Sequence, residues 1–265
     1  MIMTGIDFET TGLLDDNPRI CAVGMAMYDV TPGVAGKDRC RVENTVLPLK
    51  VKSFIVDPDC PFTEGAIATH GITPEITKQW GISEKDALLE IKEWMLQSEF
   101  MVAYNGNAFD RKVLREADTR LGTALPRCTW VDPYRDIEEH PENDDLIGTC
   151  AKHGFLFDDA HSALADVVAM MRLLFMHDIA RITEIASSPL IYLRAEVSYD
   201  EKDLAKARGY KWDKPGMPKA WVLETREMFK QKEIDEAPFG LDIAKEGRWE
   251  LLRPKKSSHA NVVEI

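Results

Sequence analysis

Apolar residues recur along this chain with two different periods. Residues 2–8 and 19–28 are short apolar runs separated by Thr11-Gly12 and by the turn residues 15–18, a pattern that predicts a β-hairpin. Residues 40–49 predict a third strand. A helical period then takes over, with Ala87, Leu88, Ile91, Trp94 and Met95 forming one stripe within 84–98. Residues 100–104 read as a short buried strand. Residues 109–121 form a helix with Val113, Leu114 and Ala117 inward. Between 162 and 178 the stripe Leu164, Val167, Val168, Met171 and Leu174 predicts a further core-facing helix. Strands first, with helices packed around them, give a mixed α/β sheet.

After Ser187-Ser188-Pro189 the pattern restarts. Residues 190–197 predict a strand, Ser198 and Glu201 are spaced as a capping box, and Gly209 is placed to stop a short helix. Residues 211–223, turning at Pro215-Gly216, add a hairpin. The expected division is therefore a domain over 1–188 and a small C-terminal domain over 189–265, polar from about residue 253.

The chain has 265 residues, 45% of them hydrophobic, which suffices for a packed core. No uncharged apolar run approaches the roughly 20 residues that span a bilayer, and residues 1–8 are too short for a signal peptide; a cytoplasmic protein without a membrane partner is expected. The five cysteines contain no CxxC pair and read as buried free thiols. Net charge is −12 and uneven: residues 1–189 hold 18 Lys+Arg against 31 Asp+Glu, whereas 190–265 hold 15 against 14. Such an acidic surface grips long nucleic acid poorly, because affinity for phosphate comes chiefly from Lys and Arg displacing counterions. Any nucleic acid is expected to be held locally, at an end.

Three acidic clusters carry the candidate chemistry. Asp7 and Glu9 close an apolar strand, and alternation sends both side chains to one face. Asn105 follows a strand, and Asp110 opens the next helix. His161 and Asp166 are five residues apart, which on an ideal helix is about 140°, so His161 belongs just before the helix that carries Asp166. Taken singly, each has a plain structural reading: a solvated strand end, a first-turn acid beside a helix dipole, a surface histidine. Together, four carboxylates and an imidazole suit hard divalent cations, which prefer oxygen ligands and leave positions for water and phosphate.

DFETTG, NGNAFD and HSALAD, in this order and at these spacings, resemble the DEDDh family of 3′→5′ exonucleases, which includes proofreading subunits and bacterial exonucleases I and X. The resemblance covers roughly residues 1–178 and includes EGAIATHGIT ahead of the second motif. It implies a ribonuclease H-like mixed five-stranded sheet flanked by helices, followed here by a small α+β C-terminal domain. It also implies two Mg²⁺ or Mn²⁺ ions on Asp7, Glu9, Asp110 and Asp166, with His161 as general base. Thr10, Thr11, Leu13, His70 and Ile72 would recognise the strand end, and Asn105 and Phe109 would shape the same cleft. The implied substrate is the 3′ end of DNA, single-stranded, released as nucleoside 5′-monophosphates. RNA trimming, polymerase-bound proofreading and an inactive adaptor are the alternatives. One departure is Tyr104, where many members have His before the Asn; it predicts altered substrate contact with activity retained.

The C-terminal segment YDEKDLAKARGYKWD…KAWV resembles a small module of mobile-element and phage replication proteins, which implies a phage or plasmid setting. The five aromatic residues of 190–223, Tyr192, Tyr199, Tyr210, Trp212 and Trp221, read first as a small core. Nucleic-acid contact and docking on a replication or repair protein are both open for it.

Overall fold

A computed structural model of the chain describes residues 1–30, 47–138, 145–214, 217–245 and 248–252. Contacts divide the chain into two compact units, Met1–Ser187 and Ser188–Ile265. The first contains β1 (Ile2–Thr10), β2 (Ile20–Asp29), β3 (Lys50–Asp57), α1 (Glu64–His70), α2 (Pro74–Trp80), β4 (Ile82–Ser83), α3 (Glu84–Leu96) and β5 (Phe100–Val102). It continues through α4 (Asp110–Leu121), β6 (Thr129–Val131), α5 (Pro133–Asp136), α6 (Leu146–Lys152), α7 (Ala163–Leu174) and α8 (Ile179–Ser187).

Its sheet has the order β4-β3-β2-β1-β5-β6. β1, β2 and β3 form an antiparallel meander, while β5 and β6 run parallel to β1. Alternation along the strands sorts two cores. Met3, Ala26, Tyr28 and Val102 meet Val167, Met170 and Met171 of α7 on one face. Ile6, Phe8, Val23 and Met25 meet Ala87, Leu88 and Ile91 of α3, with Val113 and Leu114 of α4, on the other. Burying both faces of a sheet this way makes a helix-sheet-helix sandwich.

Glycine lets α7 lie directly on the sheet. A Cβ on Gly24 would sit 2.3–2.5 Å from the backbone of Ala163 and Leu164, and one on Gly5 would sit 2.8 Å from Met171. Gly24 pairs with Asp7 across the β1–β2 ladder, so the first turn of α7 is held over Asp7.

Three expectations change. The third strand is Lys50–Asp57, not 40–49; residues 40–46 lie outside the described residues, and 47–49 precede the strand. The sheet has six strands, because Ile82–Ser83 pairs in parallel with Val56 and Asp57, a segment too short to show a period. Val168 is 46% exposed. The buried stripe of α7 runs through Ala163, Val167, Met170, Met171 and Leu174, and one residue past Val167 is about 100° further around the helix.

The second unit comprises β7 (Leu190–Glu196), α9 (Lys202–Ala207), β8 (Lys211–Lys214), β9 (Met217–Arg226), α10 (Lys230–Glu236), β10 (Gly240–Lys245) and β11 (Arg248–Leu252). Its antiparallel sheet has the order β11-β10-β7-β9-β8. Ile191, Leu193, Ala195, Ala205, Tyr210, Leu241 and Ile243 form its core. The expected capping box is only half made: the Ser198 N–H donates to Glu201 over 3.2 Å, but the Ser198 hydroxyl donates to the same carboxylate over 2.8 Å, and α9 begins after Glu201, whose side chain makes no cap bond. Gly209 ends α9 with φ 80°. Pro215-Gly216 and everything from residue 253 fall outside the described residues.

Cys21 and Cys150 are buried free thiols, while Cys60 and Cys128 are half-buried ones. No helix among the described residues is long and apolar enough to cross a membrane.

Candidate active site

Because β1, β5 and β6 are parallel, their C-terminal ends open at one edge of the sheet. Each end delivers acid there. β1 supplies Asp7 and Glu9, the turn after β5 leads to Asp110, and Asp132 follows β6. Asp166 arrives from the opposite side on the first turn of α7, as a consequence of the Gly24 contact.

One carboxylate oxygen from each of Asp7, Glu9 and Asp166 falls within 4.8 Å of the others. Asp110 stands beside them. Its carboxylate accepts from its own N–H and from the N–H of Phe8, and its charge acts on Asp7. Asp7 and Asp166 keep some solvent contact, whereas Glu9 is 8% and Asp110 4% exposed.

This crowding shows in the proton affinities. Burial first, then Asp110, Asp166 and Glu9 in turn, hold the Asp7 carboxyl well above the ordinary carboxylate range. Burial and Asp166 push Glu9 up to about 7. Asp110 is raised to about 7 by burial and by Asp132 and Glu9, against the pull of its two N–H donors. Asp166 is raised by burial, offset by the His161 N–H and the His161 ring. Both causes penalise the charged form. Bound cations would relieve them.

His161 is exposed and lies two residues before α7, in the left-handed backbone region with φ 67°. Its N–H donates to Asp166 over 3.2 Å. This bond ties the loop to the Asp166 carboxylate, and the His161 ring lies close enough to act on its charge.

The remaining predicted residues lie at the end of β1 and on the turn after it, at the end of α1 and on the turn after β5. Thr10 donates its hydroxyl to the Gly12 carbonyl over 2.9 Å, and the Thr11 hydroxyl accepts from the Arg19 N–H over 3.0 Å, so both hydroxyls hold the turn itself. Leu13 projects into solvent, 73% exposed. His70 Nδ1 accepts from the Ile72 N–H over 3.0 Å, and Nε2 lies 3.1 Å from the Thr10 carbonyl, to which it donates. Both ring nitrogens are therefore committed. Burial lowers the affinity of His70 for a second proton, and a neutral imidazole thus clamps α1 to β1. Asn105 is left-handed with φ 53°, and Phe109 is half-buried against the α3–α4 core. Tyr104 reaches away from this cluster, hydrogen-bonding Thr149 Oγ1 at 2.7 Å.

Asp132 was not legible as a site residue. It is 1% exposed and accepts from the N–H of Asn107 over 3.1 Å and of Tyr134 over 3.2 Å. It thereby fixes the turn that delivers Asp110 and caps α5. Burial, with Asp136 beside it, raises Asp132 to about 7. The one signal in the chain is the run Thr129-Trp130-Val131 ending on Asp132, which repeats the pattern of strand followed by acid seen at Asp7.

Among curated protein sequences none matches significantly. Among solved structures, E. coli exonuclease I in complex with a dA16 oligonucleotide is similar, with 18% identity and a TM-score of 0.54, covering 74% of this chain and 48% of that one. The zinc-bound form of an E. coli exonuclease I–single-stranded DNA complex gives 19% identity and a TM-score of 0.55, covering 77% and 49%. The chain thus spans about half the length of the structures it resembles, and at this identity the likeness is one of fold. Residues 191–239 match a domain of unknown function. Residues 4–174 match the RNase T exonuclease family and include every carboxylate gathered at the sheet edge, and the chain belongs to that family.

Proposed function

We propose that this chain is a divalent-metal-dependent 3′→5′ exonuclease that removes nucleoside 5′-monophosphates from single-stranded DNA. The observation that carries the reading is the convergence of Asp7, Glu9 and Asp166 oxygens within 4.8 Å, with Asp110 adjoining. The donor set fits the ion: all four side chains offer oxygen, as Mg²⁺ and Mn²⁺ require, and each is a buried or crowded carboxylate. Bound cations supply Lewis-acid activation of water and neutralise charge at the scissile phosphate. Asp7, Glu9, Asp110 and Asp166 would hold two of them.

His161 would accept a proton from the attacking water, the general-base role, a reading supported by its bond to Asp166. The pocket for the strand end is shaped by Thr10, Thr11, Leu13, His70, Ile72, Asn105 and Phe109. Leu13, exposed and apolar, is suited to packing against a terminal base whatever its identity, which makes cleavage insensitive to sequence. Residues 1–188 form the exonuclease domain in this reading, and 189–265 an accessory domain. The oligonucleotide and single-stranded DNA in the related exonuclease I structures support DNA as the substrate class.

Digestion of a 5′-labelled single-stranded oligodeoxynucleotide with Mg²⁺ should give a ladder that shortens from the 3′ end and stops on chelation. Asp7→Ala should abolish it with the fold retained. Full activity after exhaustive chelation, or in folded Asp7→Ala, rejects the proposal.

A further inference from the structure

We propose that the second unit carries its own single-stranded nucleic-acid contact, a stacking platform made of Trp212 and Tyr199 on a lysine-bearing segment. This rests on the reading of the chain as a nuclease and extends it to a part of the molecule for which no activity is assigned.

The small core of this unit is complete without these two rings. Tyr210, 2% exposed, packs edge-on against Phe239 at 5.5 Å and donates its hydroxyl to Glu233 over 3.1 Å. Trp221 lines the same core. By contrast, Tyr199 is 80% exposed and Trp212 53%. A unit this small needs its aromatic surface for stability, so two rings left in solvent call for another partner.

Both rings are held in place. Trp212 leans on Trp221 at 5.6 Å between centroids. Lys202 Nζ lies 3.5 Å from the centre of the Tyr199 ring. The sheet register puts both at one end of the unit: Trp212 pairs with Trp221, Trp221 with Ala195, and β7 ends at Glu196, three residues before Tyr199. Two ladder steps bring Trp212 within about 10 Å of Ala195.

Charge then selects the partner. Residues 199–222, which include both rings, hold six Lys+Arg against four Asp+Glu, in a chain of net charge −12. Arg208 pairs with Glu233 and Glu236, at 2.6 and 3.2 Å, and the other cations of the segment are lysines, of which Lys202 sits over the Tyr199 ring. Exposed aromatic rings on a lysine-bearing segment match the general chemistry of sequence-tolerant strand binding. They also answer a need of the first unit, whose excess of acid makes it a poor holder of a long polyanion.

The test uses the full chain in chelator, so that binding is read without hydrolysis, with 5′-fluorescein dT24 and dT4 followed by anisotropy. Trp212→Ala should weaken dT24 binding by about 5- to 150-fold, the range for loss of one stacked base. Trp212→Phe should restore most of it, and dT4 binding should weaken in the same sense. Tyr199→Ala, at a ring too exposed to be needed for folding, should weaken dT24 in the same sense and decides the matter should Trp212→Ala fail to fold. Unchanged dT24 affinity in both alanine variants overturns the proposal. A protein-docking role would give that outcome. Failure of the exonuclease reading would show separately, as absence of cleavage by the wild-type chain in Mg²⁺.

Discussion

Raised carboxyl groups give the first unit a stability that should fall as pH rises, and Asp132 is where the effect can be isolated. Its carboxyl titrates at about 7 in the folded chain against an ordinary 3.8, so holding it charged costs about 4 kcal/mol. Between roughly pH 4 and 7 the folded state keeps a proton that the unfolded chain has released. Stability therefore declines through that window, by up to about 1.4 kcal/mol per pH unit for each such group. Glu9 and Asp110, also near 7, act in the same sense. Asp132→Asn removes the charge and keeps one acceptor oxygen. It gives up one of the bonds to the Asn107 and Tyr134 N–H groups, a loss of about 1–3 kcal/mol at any pH. Relief of the charge penalty is about 2 kcal/mol at pH 5 and about 4 kcal/mol at pH 8. The variant should thus be close to wild type at pH 5 and more stable at pH 8, a swing of about 2–3 kcal/mol. Urea denaturation of the metal-free protein at both pH values measures it. A stability difference that is the same at pH 5 and pH 8 refutes the reasoning.

His161→Ala should lower kcat by about 10² or more with little change in KM, measured on a labelled oligonucleotide; an unchanged kcat removes His161 from the general-base role. Gly24→Ala would drive a methyl group to 2.3 Å from the backbone of α7, and a loss of at least about 1–3 kcal/mol is expected together with reduced activity, because Asp166 moves with that helix. A variant with wild-type melting temperature and turnover would show that the helix does not rest on this contact. Glu84, 6% exposed, accepts from Arg120 at 2.6 Å and Arg19 at 3.3 Å, joining the start of α3 to the end of α4. Both guanidinium groups reach solvent, so Glu84→Ala should cost about 2 kcal/mol, less than the 3–5 of a fully buried pair; a chemical denaturation midpoint equal to wild type would contradict this.

Much of the first unit could be read from local pattern. The β1–β2 hairpin, α3, α4 and α7 follow from periods long enough to repeat, and the motifs around Asp7, Asp110 and Asp166 stand where a strand ends or a helix begins. Short elements escaped. Ile82–Ser83 and Thr129–Val131 have two and three residues, too few to show alternation, and Val168 misled because a helical stripe is only as wide as the surface it meets. Asp132 drew no expectation from the chain and caps α5; its nearness to Asp110 follows from β6 lying parallel to β5, a long-range pairing with no local trace.

The chain by itself determines which groups can take part: four carboxylates, an imidazole and the apolar periods that turn one side of each element inward. Tertiary structure decides that they meet. Parallel alignment of β1, β5 and β6 brings three strand ends to one edge, and two glycines let α7 approach closely enough to add Asp166. Only in that enclosure do desolvation and like charge raise the carboxyl groups, because both depend on distances between segments that the order of residues does not specify.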